Sequence, residues 1–516
     1  MAALLSWGFR MKLARVGCLA MCVGVASAQS VGVFSAHQDV GEVLHSGAAK
    51  YDAATGTYTI TGAGGNMWFD KDQFQFVWKK VSGDQGISAD VKFVGTGGDP
   101  HRKAVLMMRQ TLDTGSPEVD VAVHGSGLTS LQFRDEAGGA VHEVETAADA
   151  PTRVRLERRG DRFYAYVSGA DGKLHPAGAS IKVPFSGGFY IGLGVCAHDK
   201  DATETAVFSH VLTGPVAPYA SQPVLWSVLE TVLVASTDRR VAYVKAGHFE
   251  APNWSRDGKF LLVNESADGF GRMVHLDWQQ AHLAAVDPRV IPTGDAVHIN
   301  NDHGISPDGT ELAISDASAP DHNSRVKILP ITGGQPKQLT PTGPSYWHGW
   351  SPDGRTLAFV GDRAGNFDIY TIPVEGGAET RLTTAQGLDD GPEYTPDGKS
   401  IYFNSVRSGH MQIWRMKADG SDQKQVTHDA TNDWFPHISP DGKQMVYVQY
   451  APDVVGHPGG QDVEVRLMNL ADGKLTTLAK LWGGQGTMNV PSWSPDGMRV
   501  AFVSYEMLPA DGGDVQ

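Results

Sequence analysis

Apolar and polar residues alternate with period two in short runs closed by Gly-rich turns, and from residue 30 to about 214 no stretch of helical period interrupts them. Segments 74–78, 87–93, 105–108, 119–123, 153–157, 163–167 and 189–193 each place apolar side chains on one face of an extended chain. Short strands joined by such turns predict an antiparallel, jelly-roll-like β-sandwich.

From about residue 225 the alternation becomes a repeat. Its core reads Trp254-Ser255-Arg256-Asp257-Gly258, Ile305-Ser306-Pro307-Asp308-Gly309, Trp350-Ser351-Pro352-Asp353-Gly354, Tyr394-Thr395-Pro396-Asp397-Gly398, Ile438-Ser439-Pro440-Asp441-Gly442 and Trp493-Ser494-Pro495-Asp496-Gly497. The aspartates are 51, 45, 44, 44 and 55 residues apart. Pro pre-sets φ, Asp bonds nearby backbone and Gly accepts positive φ, so each Pro-Asp-Gly is a tight turn between two strands. After Asp353, segments 356–361 and 367–373 alternate as strands, Gly376-Gly377 turns the chain, and 379–383 supplies a fourth strand. Four strands per unit of about 45 residues make a propeller blade, so six units predict a six-bladed β-propeller. The last unit stops after 500–505, and two unpaired runs, 227–234 and 240–244, stand ahead of the first turn. Joined, they would complete the sixth blade and remove a free sheet edge.

These Ser-Pro-Asp-Gly repeats resemble the WD40-like (PD40) propeller repeats of the TolB family over roughly residues 222–510. The resemblance implies a propeller and, as in TolB, a periplasmic scaffold for protein–protein contacts. TolB pairs its propeller with an α/β domain, whereas the upstream segment here is all-β. The strand order in that segment, with Trp78, 103–109 and 155–159, resembles the concanavalin-like lectin and glucanase sandwiches of bacterial carbohydrate-active proteins. The expected organisation is a signal peptide at 1–28, a sandwich at 29–216, a linker at 217–224 and a propeller at 225–516.

The signal peptide rests on Arg10, Lys12 and Arg15 ahead of an apolar run, 16–25, that ends in Ala26-Ser27-Ala28. A periplasmic or secreted protein is expected, without a later run of about 18 apolar residues to span a bilayer. Cys18 and Cys22 would leave with the signal, so Cys196 has no disulfide partner. A formal net charge of -15 disfavours binding to a phosphate backbone. No Gly-x-Ser-x-Gly elbow and no phosphate-cradling Gly-Lys-Ser/Thr loop occurs.

Candidate chemistry gathers on one propeller face. The Pro-Asp-Gly turns lie on one side, and the entries to the innermost strands lie on the other with His248, His298, His303, His322, His348, His410, His428, His437 and His457. Counting back from the turn Ser or Thr with period two, Glu250, Asn301, Tyr346, Asp390, Trp434 and Asn489 occupy one level. Pro252, His303, His348, Pro392, Pro436 and Pro491 occupy the next. A level that is polar or aromatic in every unit predicts a ligand-facing ring at a channel mouth, against the structural alternative of a solvated mouth with histidines bridging blades. His303, His348 and Asp390 are the candidate catalytic groups. Glu250, Asn301, Asp302, Tyr346, Trp347, Arg363, Arg407, Trp434, His437 and Asn489 are the candidate ligand-binding residues. His303, His348 and His437 are candidate ligands for a divalent metal such as Zn or Mn; the oligogalacturonate lyases also build a metal and histidine site on a TolB-like propeller, but their ligand spacing does not map onto this sequence. In the upstream segment, Arg102, Lys103, Asp120, His124 and Arg134 are polar residues near strand ends that could meet a glycan.

The expected function is an exported carbohydrate-interacting protein that binds an oligosaccharide or polysaccharide at the propeller mouth. Paired carboxylates would give lyase or glycosidase chemistry, and Tyr346, Trp347 and Trp434 would stack on sugar rings. The alternative is a non-catalytic TolB-like scaffold that contacts envelope proteins.

Overall fold

The computed structural model describes residues 31–510 apart from 179 and 281–283. The expected signal segment lies outside the described residues. Every regular element among them is a β-strand, and no helix among them is long and apolar enough to cross a membrane.

The upstream strands form two antiparallel arrays. One sheet runs Leu174–Pro176, Arg162–Ser168, Arg153–Arg159, Gln85–Phe93, Glu204–Pro215, Thr57–Gly62 and Ala48–Asp52, with Ile181–Lys182 beside Arg162–Ser168. The other begins Ala36–Val40, Phe74–Val81, Phe189–Cys196, Lys103–Arg109, Glu118–His124, Thr129–Arg134 and His142–Glu145. Leu106, Val119, Leu131 and Leu193 from the second sheet and Ile87, Leu156, Phe163 and Phe208 from the first share one buried cluster. Burying each such side chain stabilises the fold by about 1.5–3 kcal/mol.

The other face of the second sheet is equally buried and sets charged groups beside a second apolar cluster that includes Phe74, Phe76, Val105 and Met107. Arg134 pairs with Asp72 at 2.6 Å and Arg109 with the same carboxylate at 3.2 Å, all three side chains without solvent exposure. Asp120 lies in this layer, where burial pushes its pKa up to about 8. Arg102, Lys103, Asp120, His124 and Arg134 are therefore buried and not exposed at strand ends. The chain just before Phe74 covers Lys103 and Arg134, Lys103 Nζ donating to Met67 O at 3.3 Å and Arg134 to Phe69 O at 2.9 Å, while Arg102 pairs with Glu204 and His124 packs on His101.

Downstream stand five four-stranded antiparallel blades, spanning 248–290, 299–338, 345–381, 389–425 and 432–484. Their innermost strands, His248–Trp254, Ile299–Ile305, Ser345–Trp350, Asp389–Tyr394 and Asn432–Ile438, lie side by side around a channel. Each Pro-Asp-Gly turn is wired alike. Ser351 Oγ donates to Asp353 at 2.6 Å and accepts Thr356 N at 2.9 Å, and Gly354 takes a φ of 69°. The same bonds recur at Ser306 and Ser439.

The ring thus has five complete blades, not the six expected. The sixth repeat contributes Arg499–Leu508, which pairs along its whole length with Val224–Leu233, and that strand pairs with Arg239–Ala246. These three strands do not close a blade of their own. Segment 485–493 turns on itself, with Gly486 N donating to Asn489 Oδ1 at 2.8 Å, and meets the strand at 499–508 through a Trp493–Val500 bridge and isolated bonds from Ala501 N to Ser492 O and Val503 N to Thr487 O. On the outer side, Arg239–Ala246 pairs in parallel with His142–Glu145, so the closing strands extend the upstream sheet to ten strands. Residues 216–223, between the two regions, hold no strand.

Candidate functional site

The innermost strands do not keep strict alternation. Ladder register shifts between Glu250 and Asn253, Ile299 and His303, Trp347 and Gly349, Asp390 and Glu393, and Trp434 and His437. Ala251, Gly391 and Phe435, at matching places, take φ of 55°, 61° and 57°. A bulge re-aims the side chains that follow it, so residues counted to one level separate, and residues from different levels meet.

The groups that meet are Glu250, Asp302, His348 and Asp390, exposed by only 7%, 6%, 5% and 8%. His348 Nε2 lies 3.1 Å from Asp390 Oδ1 and 4.0 Å from Asp302 Oδ1. Asp390 also accepts Gly391 N at 2.7 Å and faces His457 Nε2 at 4.0 Å. Asn300 Nδ2 donates to Asp302 at 2.9 Å. Glu250 faces His248 at 3.7 Å. His348 stacks on Phe435 at 5.9 Å, and His457 meets Trp434 edge-on at 4.3 Å.

These environments drive the four groups apart. Burial, reinforced by the Asp302 charge, pushes Glu250 up to about 8 against the pull of the Asn301 amide. Burial and the Asp390 charge raise Asp302 to about 6, although His348 draws it down. Burial alone would lower His348, but the facing Asp302 and Asp390 carboxylates outweigh it and hold the pKa above its ordinary value. Burial opposes ionisation of Asp390, yet its bond to His348 keeps it below the usual carboxylate range. At neutral pH the mouth thus holds an ionised Asp390 beside a His348 whose charged form its carboxylate neighbours favour, a largely ionised Asp302 and a largely protonated Glu250. Titratable neighbours pushed in opposite directions are what acid–base chemistry needs.

Tyr346 is half-buried beside this cluster, its pKa raised by burial and by Asp302 and Asp390. Asn489 closes it from the last repeat, donating to Gln485 at 3.3 Å, and Gln485 in turn bonds His457. Next to Glu250 opens a cavity of about 470 Å³, into which Phe270, 51% exposed, presents its ring stacked on His298 at 5.6 Å. His298 and His457, two of the histidines expected on this face, line the site, while Phe270, Gln485 and Asn300 extend it beyond the residues singled out from sequence. The aromatic in Gly269-Phe270-Gly271 was the visible signal for the first of these.

Other candidates lie elsewhere. His303 is fully buried, burial presses it down to about 3, and neither ring nitrogen has a well-formed hydrogen bond. His437 is held between Glu393 at 2.5 Å and the Met488 carbonyl at 3.1 Å. The structure therefore does not bring His303, His348 and His437 to one ion, and no group of three or more His, Cys, Asp or Glu among the described residues is placed to hold a metal. Trp347 and Trp434, each 1% exposed, are core residues and offer no face to a sugar. Arg363 grips Glu379 at 2.8 and 2.9 Å over the rings of Phe359 and Tyr370. Arg407 grips Asp389 at 2.6 Å over Phe403 and Trp414. Both arginines clamp their own blades.

Five blades around a channel whose mouth carries a buried acid–base cluster define a β-propeller protein with a polar channel mouth. The chain belongs to the TolB β-propeller family: residues 303–506 match the TolB beta propeller domain. An uncharacterised protein of Agrobacterium fabrum (strain C58) is 45% identical over 302 residues, 58% of this chain and 98% of that protein. A solved TolB-like protein from Agrobacterium tumefaciens is 46% identical, with 56% of this chain and 100% of that chain covered and a TM-score of 0.52. TolB from Acinetobacter baumannii is 13% identical over 64% of this chain and 79% of its own, with a TM-score of 0.40.

Proposed function

We propose that the protein binds an uncharged oligosaccharide at the propeller mouth. The observation that carries this reading is the buried cluster of Glu250, Asp302, His348 and Asp390. Desolvating four ionisable groups costs several kcal/mol, a cost that packing alone does not require. Carboxylates and an imidazole beside the exposed ring of Phe270 suit sugar hydroxyls and a sugar face. Three carboxyl groups at the mouth disfavour an acidic sugar. Protonated Glu250 beside ionised Asp302 also equips the site for general acid–base cleavage of a glycosidic bond.

In this reading the chain is exported to the periplasm or beyond, as the residues before 29 imply. The upstream sheets act as a concanavalin-like sandwich that adds a second recognition surface. The test is thermal unfolding of the signal-free protein against a panel of neutral and acidic oligosaccharides, with the His348→Gln variant in parallel. A ligand at about one hundred times its dissociation constant adds roughly 2.7 kcal/mol. The reading predicts a midpoint rise with a neutral oligosaccharide that His348→Gln abolishes. No rise across the panel would favour the scaffold reading, in which the same face contacts envelope proteins.

A further inference from the structure

At the opposite end of the channel the innermost strands finish in a second cavity, of about 440 Å³, on the face of the Pro-Asp-Gly turns. That volume lies in the range of small-ligand pockets. Its walls are Trp254, Trp350, Trp493 and Tyr394 with a ring of turn prolines. The indoles of Trp350 and Trp493 are fixed by bonds of 3.0 Å to Gly304 O and His437 O. The matching Trp254 is 4% exposed, and its Nε1 finds no partner.

One position breaks the ring. Where the other five repeats carry Pro307, Pro352, Pro396, Pro440 and Pro495, the first carries Arg256. Its guanidinium donates to Ile305 O at 2.9 Å and Ser306 O at 3.3 Å, which are neutral acceptors, and it forms no salt bridge among the described residues. Arg256 is the only cation among the lining residues, and Glu393 is the only carboxylate. Glu393 already accepts from His437 and from Ile438 N at 3.1 Å. A guanidinium bonded only to backbone carbonyls, with Glu393 near but outside salt-bridge reach, at the rim of an aromatic funnel is a receptor for a planar anion, since its remaining donors fit a carboxylate edge-on.

We propose that this end of the channel is a second ligand site, taking a carboxylate borne on a compact apolar body that packs against the tryptophans. The site is separate from the mouth and does not depend on the oligosaccharide reading. A free carboxylic acid and the C-terminus of a peptide ending in an apolar residue offer the same chemistry.

The experiment titrates 3-phenylpropionate, 3-phenylpropan-1-ol and acetyl-Gly-Gly-Phe into the whole protein, read by calorimetry and by quenching of tryptophan fluorescence. The acid is expected to bind at least tenfold more tightly than the alcohol. Arg256→Pro, which restores the residue found in the other repeats, should erase that preference while leaving the unfolding midpoint within a few degrees. Should that variant fail to fold, Arg256→Gln serves the same comparison. Tighter binding of the peptide than of phenylpropionate assigns the site to chain ends, and the reverse order assigns it to free acids; either order supports the site. Equal binding of acid and alcohol, binding of neither acid nor peptide at millimolar concentration, or a preference that survives loss of Arg256 would overturn it.

Discussion

Glu250 carries the largest consequence that can be traced to one residue. Its pKa rises from 4.5 unfolded to about 8 folded, because burial and the Asp302 charge penalise its anion. A raised carboxyl binds its proton more tightly in the folded state, so the stability it contributes is complete below pH 4.5 and is lost as pH rises towards 8. Asp302, raised to about 6, acts in the same direction over a lower window. His348, also raised, contributes stability that is lost as pH climbs through its folded pKa. Denaturant unfolding at pH 5, 7 and 9 should show the native protein losing stability more steeply than Glu250→Gln. The variant should gain on the order of a few kcal/mol relative to the native chain at pH 9. Parallel curves would place the Glu250 carboxyl in water.

At the scale of strands and turns, packing between blades leaves no slack. A Cβ on Gly304 would stand 1.9 Å from Trp347 Cη2, so the blades of 299–338 and 345–381 touch through a residue that must lack a side chain. Gly304→Ala should therefore lower stability by about 1–3 kcal/mol in thermal or urea unfolding, as overpacking does; a neutral result would mean that the Trp347 ring can move aside. This scale also shows what the sequence made legible. The Pro-Asp-Gly turns could be read from residue types because their bonds are local: Ser351 to Asp353, Thr356 N to Ser351, Gly354 at positive φ. The closing strands at 224–233 and 499–508 could be read from alternation. The bulges could not, because Ala251 and Phe435 carry no mark of their positive φ. Period-two counting therefore set His303 level with His348 and Trp434 level with Asp390. The bulges bury His303 and Trp434 and bring His348, Asp390 and Asp302 together. The burial of Lys103 and Arg134 is illegible for a related reason: their cover comes from residues 67–72, far away in sequence.

Across the whole molecule, the ten-stranded sheet joins the propeller to the upstream region as one body. Val228 and Val241 belong to the upstream core cluster, and Arg240 reaches Glu145 at 2.5 Å. Further ion pairs cross the same boundary, Lys182 to Asp462 at 2.7 Å and Lys480 to Asp135 at 2.9 Å. A chain beginning at residue 217 would free the Arg239–Arg240 end of its edge strand and expose Val228 and Val241, which pack in the upstream core. Such a chain should unfold at a lower midpoint than the full protein and associate with rising concentration in size-exclusion chromatography. An unchanged midpoint with a monodisperse monomer would make the shared sheet incidental. The central claim remains the mouth. Its most direct test is calorimetric binding of the neutral oligosaccharide that gives the largest thermal shift, measured from pH 6 to 9 on the native protein and on Glu250→Gln. The account predicts an affinity that falls as Glu250 ionises and a variant whose affinity falls distinctly less between pH 7 and 9, keeping only the dependence that Asp302 and His348 supply. Binding that ignores both pH and the substitution, or no binding by any neutral oligosaccharide, would contradict it.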